Sequence, residues 1–370
     1  MKVVHVELGR HLYGGARQVA YLLDGLAAWP GEHVLVCAED AAIAETLRNP
    51  TVSIRPTAFH GDLDAGFVRR LRRLLVADGA DLLHVHSRRG DLPAILAGRL
   101  AGLPVVLSRR VDNPPNWADR HLKFPRCARI VTISAGILEV LRSAGVSADR
   151  LACVPSAIDT SAFSDVCDRL WLERQLGVPR DAPLVGIAAQ LIPRKGHEVL
   201  FAALADLAPR HPTLRTLVLG RGPLEAELRA QAQSAGIGDA VRFAGFRTDL
   251  PRILPCLDVL AHPAWMEGLG IALLEAAACS VPIVASRAGG MPEAVEDGVS
   301  GYLIAPGDSR ALAERLERLL GDPALARRMG AAGRRRVEAH FAVPRMVEGN
   351  YRVYEAVLRP PAAGSAQTPR

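Results

Sequence analysis

The stretch LVGIAAQLIPRKGHEVLFAALADLAP, residues 184–209, decides how this chain folds. It opens on the apolar run Leu184–Ala189, which lacks polar alternation and so reads as a strand buried on both faces. It closes on His197–Pro209, where apolar residues recur at helical spacing. The same strand-then-helix unit repeats outward in both directions. Val3–Leu8, His33–Ala38, Leu82–Val85, Val105–Ser108, Ile130–Ile133 and Leu151–Val154 read as strands in the first half. Leu214–Leu219, Val241–Ala244, Val259–His262 and Ile283–Ser286 continue the series in the second. Helix-like stretches lie between them, among them Gly15–Trp29, Asp91–Ala101, Ile137–Ala144 and Pro223–Gly236. This alternation predicts an α/β fold: two doubly wound, Rossmann-like parallel-sheet domains facing a cleft.

The pattern restarts near Leu184. The preceding segment, Ser161–Pro183, carries charges and two prolines around a short helix, as an inter-domain connection does. The expected domains are residues 1–170 and 171–342. The last helices, Ser309–Leu320, Pro323–His340 and Val343–Leu358, have no strand between them. The tail 359–370 is small and polar, and disorder is expected there.

Composition narrows the function. Of the 370 residues, 49% are hydrophobic and 23% charged, enough apolar material for two cores. Aromatics at 5% argue against a carbohydrate-binding module built on aromatic platforms. The net charge of +6 rests almost wholly on arginine, since only Lys2, Lys123 and Lys195 are lysines. A mild basic excess fits a phosphate-bearing partner, nucleotide or anionic lipid. No zinc-finger, RNP-like or helix-turn-helix pattern is present, so no nucleic-acid partner is expected. The six cysteines (Cys37, Cys127, Cys153, Cys167, Cys256, Cys279) show no CxxC pair and read as reduced, buried apolar residues. MKVVHVELG does not read as a signal peptide, and no run approaches the ~20 apolar residues of a spanning helix. The expected setting is the cytoplasm, with peripheral contact at the inner face of the membrane as an option.

Three motifs follow strands, where open α/β sheets bind ligands. Glu267-Gly268-Leu269-Gly270-Ile271-Ala272-Leu273-Leu274-Glu275 follows the strand ending in AHPAW. Its glycines leave backbone N–H groups uncovered at a helix start, an anion site. Read as helix, its two glutamates stand ~12 Å apart along the axis. That exceeds the ~5–9.5 Å of a glycosidase pair and suits two carboxylates gripping the ends of a nucleotide sugar. An ordinary helix with a capping acid and one exposed glutamate is the alternative reading of the same spacing. Next, Lys195 in LIPRKG stands at a strand's carboxyl end beside a helix start, where a phosphate is welcome. Third, Gly14–Gly15 lets backbone approach a ligand closely without being a GxGxxG dinucleotide fingerprint.

Together these stretches resemble the retaining glycosyltransferases of family 4, which have the GT-B fold. The resemblance also takes in DLLHVHS at 81–87, LGRGP at 219–223, RFAGFRTDLPRIL at 242–254 and the run from Asp258 to Asp308. It implies that Glu275 holds the donor ribose and Glu267 the donor hexose. Backbone at Gly268, Leu269, Gly270, Leu273 and Leu274 would reach sugar and diphosphate. Lys195 would neutralise the departing diphosphate, Phe246 and Arg247 would line the base pocket, and Gly14–Gly15 would close on the phosphates. It further implies a first domain for the acceptor, a second for a UDP- or GDP-linked sugar, and a last helix crossing back to the first domain. Neither metal nor cofactor is implied. The product would be a glycan or glycolipid, as in lipopolysaccharide or other cell-surface polysaccharide synthesis.

Two positions depart from the family pattern. An arginine usually stands five residues before the lysine, and here that residue is Gln190, with Arg194 next to the lysine as a substitute. A histidine usual after the strand at 105–108 is replaced by Arg109–Arg110. Arg110 would contact the sugar or its phosphate, and His84 and His86 are nearby alternatives. Glu267, Lys195 and Arg110 are therefore the candidate catalytic residues. Asp62-x-Asp64 mimics a metal motif but precedes a helix, where capping is expected. His84-x-His86 lacks a third ligand in the sequence. Arg69, Arg70, Arg72 and Arg73 could meet anionic lipid, the alternative being a solvated face on a core-packing helix. A nucleotide-sugar epimerase or hydrolase, and a non-enzymatic subunit that binds donor, are the rival readings.

Overall fold

A computed structural model describes residues 1–12 and 14–359 of the chain. The tail expected to be disordered lies, from residue 360 on, outside the described residues. The chain forms two compact units: Met1–Ala157 with the segment from Val343 onward, and Ile158–Ala342. Residues 158–170 therefore belong to the second unit rather than the first, and helix Val343–Leu358 belongs to the first.

Seven parallel strands build the first unit: β1 (Lys2–Glu7), β2 (Glu32–Ala38), β3 (Ser53–Thr57), β4 (Leu82–Val85), β5 (Val105–Arg109), β6 (Arg129–Thr132) and β7 (Leu151–Cys153). Their order is β3-β2-β1-β4-β5-β6-β7. β1, β2, β4, β5 and β6 run almost entirely through buried positions, because helices cover both faces. One face packs Leu22, Leu23, Val347 and Tyr354, and the other packs Phe67, Leu71, Ile95 and Leu141. The second unit repeats the plan with β8 (Leu184–Ala188), β9 (Arg215–Leu219), β10 (Val241–Gly245), β11 (Val259–His262), β12 (Ile283–Ser286) and β13 (Gly301–Ile304). Its order is β10-β9-β8-β11-β12-β13, again all parallel.

Each order reverses once, between β1 and β4 and between β8 and β11. At such a switch point the loops leaving the two central strands diverge and leave a crevice at their carboxyl ends. That topology places the chemistry.

Two strands escape the sequence pattern. β3 is an edge strand of sequence SIRPT, largely exposed and carrying Pro56, which an edge tolerates. β13 is only four residues long. The cysteine expectation is corrected at one pair: Cys167 and Cys256 form a disulfide, 89 residues apart in sequence. Cys153 is exposed rather than buried, while Cys37, Cys127 and Cys279 are buried thiols. Asp64 caps helix Ala65–Ala77, accepting the Phe67 N–H at 2.8 Å, as expected of a capping acid. On that helix Phe67, Leu71 and Leu75 face the core while Arg69, Arg70, Arg72 and Arg73 are exposed. Among the described residues no helix is long and apolar enough to cross a membrane.

Candidate active site

In the second unit, the loops after β8 and β11 meet at the switch point. Gly196, at φ +70°, lies so close to the β11 loop that a Cβ would stand 2.0 Å from the Pro263 carbonyl oxygen. The Trp265 N–H donates to the Arg194 carbonyl at 2.9 Å, fastening the loops together. This contact puts the Lys195 ammonium in an ion pair with the Glu267 carboxylate. The same carboxylate oxygen meets His262 Nε2 at 3.2 Å, and its other oxygen accepts the Gly268 N–H at 3.1 Å. Gly289, at φ +56°, packs against the Glu267 backbone, where a Cβ would stand 1.9 Å from the carbonyl oxygen. The Gly290 N–H donates to that same carbonyl at 3.0 Å.

The electrostatics follow from burial. Desolvation pushes the Glu267 carboxyl up, but the hydrogen bond and charge of His262, then Lys195, outweigh it. Its pKa ends well below the usual carboxylate range, so it stays ionised. Lys195 is 8% exposed, an ammonium held almost out of water. His197, one residue beyond Gly196, is pushed down to about 4 by burial, then by His262 and Lys195. Neither of its ring nitrogens has a hydrogen-bond partner, and His262 Nδ1 has none either. Sequence reasoning missed both histidines: His262 passes for the end of an apolar strand and His197 for a helix residue.

One geometric expectation is corrected. Helix Ile271–Ala278 begins four residues after Glu267, with Gly270 at φ +89° before it. Glu267 therefore lies in the loop, and helical rise does not set its distance from Glu275. Glu275 is on the helix and 7% exposed. Leu269, Leu273 and Leu274 bury their side chains in the core, leaving only their backbone to face a ligand. Gln190 and Arg194 are exposed. Phe246 is exposed beneath Arg221, whose guanidinium lies 5.2 Å from the ring centroid, and Arg247 pairs with Asp249.

The first unit answers with a cavity of about 290 Å³ at its own switch point. The loop after β1 supplies Gly15, the loop after β4 supplies His86, Arg88 and Arg89, and the end of β5 supplies Arg109 and Arg110. Gly14 and Gly15 open helix Gly14–Gly25. A Cβ on Gly15 would sit 3.7 Å from Arg110 Cδ, so these two site candidates lie side by side. Beneath the cavity runs a buried imidazole chain. His33 Nδ1 and His5 Nε2 are 3.2 Å apart, and His5 Nδ1 and His86 Nε2 are 3.0 Å apart. His84 pairs with the Tyr354 hydroxyl at 2.7 Å and the Ser108 hydroxyl at 2.9 Å. Burial, reinforced by neighbouring imidazoles or Arg110, holds His5, His84 and His86 far below their ordinary pKa, so these rings are neutral.

His5, His84 and His86 bring one ring nitrogen each to within 4.8 Å of one another, so β1 supplies the third histidine that HVH lacked in sequence. Both nitrogens of His5 and of His84 already have hydrogen-bond partners. A metal there would have to displace them.

Comparisons with known proteins bear out the fold. Residues 13–162 match the family profile Glycosyltransferase Family 4, and residues 169–336 match Glycosyl transferases group 1. A GDP-mannose-dependent alpha-(1-6)-phosphatidylinositol monomannoside mannosyltransferase of Mycobacterium tuberculosis is 31% identical over 332 residues, covering 85% of this chain and 84% of that one. Its Mycolicibacterium smegmatis counterpart is 37% identical over 191 residues, about half of either chain. Among solved structures, Anabaena HepE in complex with UDP and glucose has a TM-score of 0.80 at 21% identity, covering 96% of this chain and 100% of that one. Two doubly wound domains, each matching a glycosyltransferase profile, with a relative aligned along most of its length, leave one assignment: the chain belongs to glycosyltransferase family 4 and has the GT-B fold.

Proposed function

We propose that this protein transfers a hexose from a GDP- or UDP-linked donor, with retention of configuration and without metal, to a hydroxyl of a glycan or glycolipid. The observation that carries the reading is the buried Lys195–Glu267–His262 cluster at the switch point of the second sheet. GDP-mannose dependence in the named mycobacterial relatives supports the donor class.

In the reaction the acceptor oxygen bonds to the anomeric carbon while the bond from that carbon to the diphosphate oxygen breaks. The acceptor proton passes to the departing diphosphate, so no external base is consumed. The leaving group gains negative charge as the bond breaks, and a fixed ammonium beside it stabilises the transition state more than the ground state. Lys195 fills that role. Glu267, ionised and anchored by Gly268 and His262, holds the lysine in place and offers an acceptor to hexose hydroxyls. The uncovered N–H groups at the start of helix Ile271–Ala278 add a second site for phosphate oxygens. Glu275 is assigned to the ribose, and the Phe246–Arg247 turn to the base.

Thermal-shift titration with GDP-, UDP-, ADP- and dTDP-sugars, with and without EDTA, tests the reading. One class should stabilise the protein, equally well in EDTA, and Lys195→Ala should abolish the shift. A stabilisation lost in EDTA would overturn metal independence. An unchanged shift in Lys195→Ala would overturn the donor site.

A further inference from the structure

The cavity of the first unit carries more positive charge than its own carboxylates answer. Asp119 accepts from Arg109 at 3.2 Å and from Lys123 at 3.1 Å, and Asp91 pairs with Lys123 at 2.8 Å. Those two acids and two bases cancel. What remains is Arg88, Arg89 and Arg110 against Glu7 alone. Among the described residues, none of these three arginines has an ion-pair partner within 4.0 Å. Arg89 rests on the Phe59 ring at 5.5 Å.

Arg110 is the telling member. Its Nε is buried and has no hydrogen-bond partner. Burial lowers its pKa, against the pull of Glu7 and Tyr354, so the environment disfavours the bare cation. Glu7 is a poor counter-ion. Its carboxyl is pushed up by burial, against the Gly9 N–H and Arg110, and the 2.9 Å Gly9 bond occupies one oxygen. A half-buried guanidinium with a buried, unpartnered Nε and no carboxylate is stabilised by a ligand that supplies the anion.

We infer that this cavity is an anion site for a phosphate ester on the acceptor, held by Arg110 with Arg88 and Arg89 at its mouth. The planar, fork-like donors of arginine match phosphate oxygens, and three of them around about 290 Å³ leave room for the phosphate and the group that carries it. The identification of the ester as acceptor rests on the donor reading given above; the anion site itself does not. A lipid headgroup and a soluble sugar phosphate share this chemistry.

The full-length protein would be titrated with inorganic phosphate, with GDP and UDP, and with phosphatidylcholine vesicles lacking or containing phosphatidylinositol. The variants are Arg88→Gln/Arg89→Gln, Arg110→Gln and Lys195→Ala. The Arg88/Arg89 pair is exposed, so that variant keeps the test open should Arg110→Gln not fold. Phosphate affinity should fall at least about tenfold in each arginine variant and persist in Lys195→Ala. Nucleotide affinity should persist in Arg88→Gln/Arg89→Gln and fall in Lys195→Ala. Phosphate-sensitive binding to phosphatidylinositol vesicles, lost in Arg88→Gln/Arg89→Gln, would identify a headgroup; phosphate binding without vesicle binding would identify a soluble ester. Phosphate binding unchanged in the arginine variants, or abolished by Lys195→Ala, overturns the proposal, as does equal loss of nucleotide affinity in Arg88→Gln/Arg89→Gln. Failure of GDP and UDP to bind the wild-type protein would sink the donor reading instead, and leave the phosphate arm readable.

Discussion

The two switch points are built alike and charged differently. Each lies where the loops leaving two central strands part, β8 and β11 in one unit, β1 and β4 in the other. In the second unit the buried carboxylate is ionised and has a cation, an imidazole and a backbone N–H within reach. In the first, buried imidazoles are neutral and a half-buried guanidinium lacks an ion-pair partner among the described residues. One site pairs its cation within the protein; the other leaves three arginines without an ion-pair partner among the described residues. A parallel sheet thus fixes where a ligand binds, while the side chains closing each strand set which charge it carries.

The comparison breaks most easily at Lys195. Lys195→Ala should lower kcat/KM by about 10²–10³-fold, the effect of removing one preorganised electrostatic donor. It should also destabilise the second unit by leaving Glu267 buried without its cation. Adding Glu267→Gln should recover part of that stability but none of the activity, because the uncompensated charge is gone while the ammonium is still missing. Steady-state kinetics with thermal melts of both variants would decide. Activity within a few-fold of wild type in Lys195→Ala would end the claim that its charge serves the reaction.

Much of this contrast was legible in the sequence, and the remainder was hidden for physical reasons. Lys195, Glu267, Gly15 and Arg110 could be named because each lies in the stretch after an apolar strand, where an α/β sheet exposes its loops, and falls on a position of the family pattern. His262 was hidden because a histidine closing VLAH looks like one more buried strand residue. The imidazole chain needed strand pairing: His5 and His84 are side by side only because β1 pairs with β4 in that register. The Cys167–Cys256 bond spans 89 residues and carries no spacing signal. The Glu267–Glu275 spacing misled because the helix starts late, at Ile271. Local chemistry was readable, and long-range pairing was not.

Acid should separate the two units further. His33 is pushed down to about 4 by burial and the N-terminal amine, and His5, His84 and His86 lie well below their ordinary value. A histidine whose folded pKa is depressed takes up its proton first in the unfolded chain. Its contribution to stability is therefore intact above pH ~6.5 and shrinks as pH falls toward the folded value. Between pH 6.5 and 5 each such ring gives up part of that contribution. The second unit has one such ring, His197, and Glu267 adds an acid loss only as pH falls through the ordinary carboxylate range, near 4.5. Hydrogen exchange at pH 7 and pH 5, corrected for intrinsic rates, should show the first unit losing more protection. Equal losses would mean the imidazoles are hydrated rather than buried.

The smallest expected effect isolates burial from bond length. Tyr354 donates or accepts at 2.7 Å with His84, and Trp265 Nε1 donates to Glu198 at the same 2.7 Å. Tyr354 is fully buried, whereas Trp265 is 46% exposed. Tyr354→Phe keeps the ring's packing but leaves His84 Nδ1 with no partner and no water, at a loss of about 1–3 kcal/mol. Glu198→Ala frees an indole N–H that water can satisfy, at a loss nearer 0.5 kcal/mol. Because His84 also holds Ser108, which lines the first cavity, Tyr354→Phe should raise the acceptor KM more than it lowers kcat. Denaturant melts of the two variants give the stability comparison, and the KM-against-kcat split tells a positioning role from a merely structural one. If both substitutions destabilise equally, the hydroxyl of Tyr354 is solvated, and helix Val343–Leu358 acts on the cavity through packing alone.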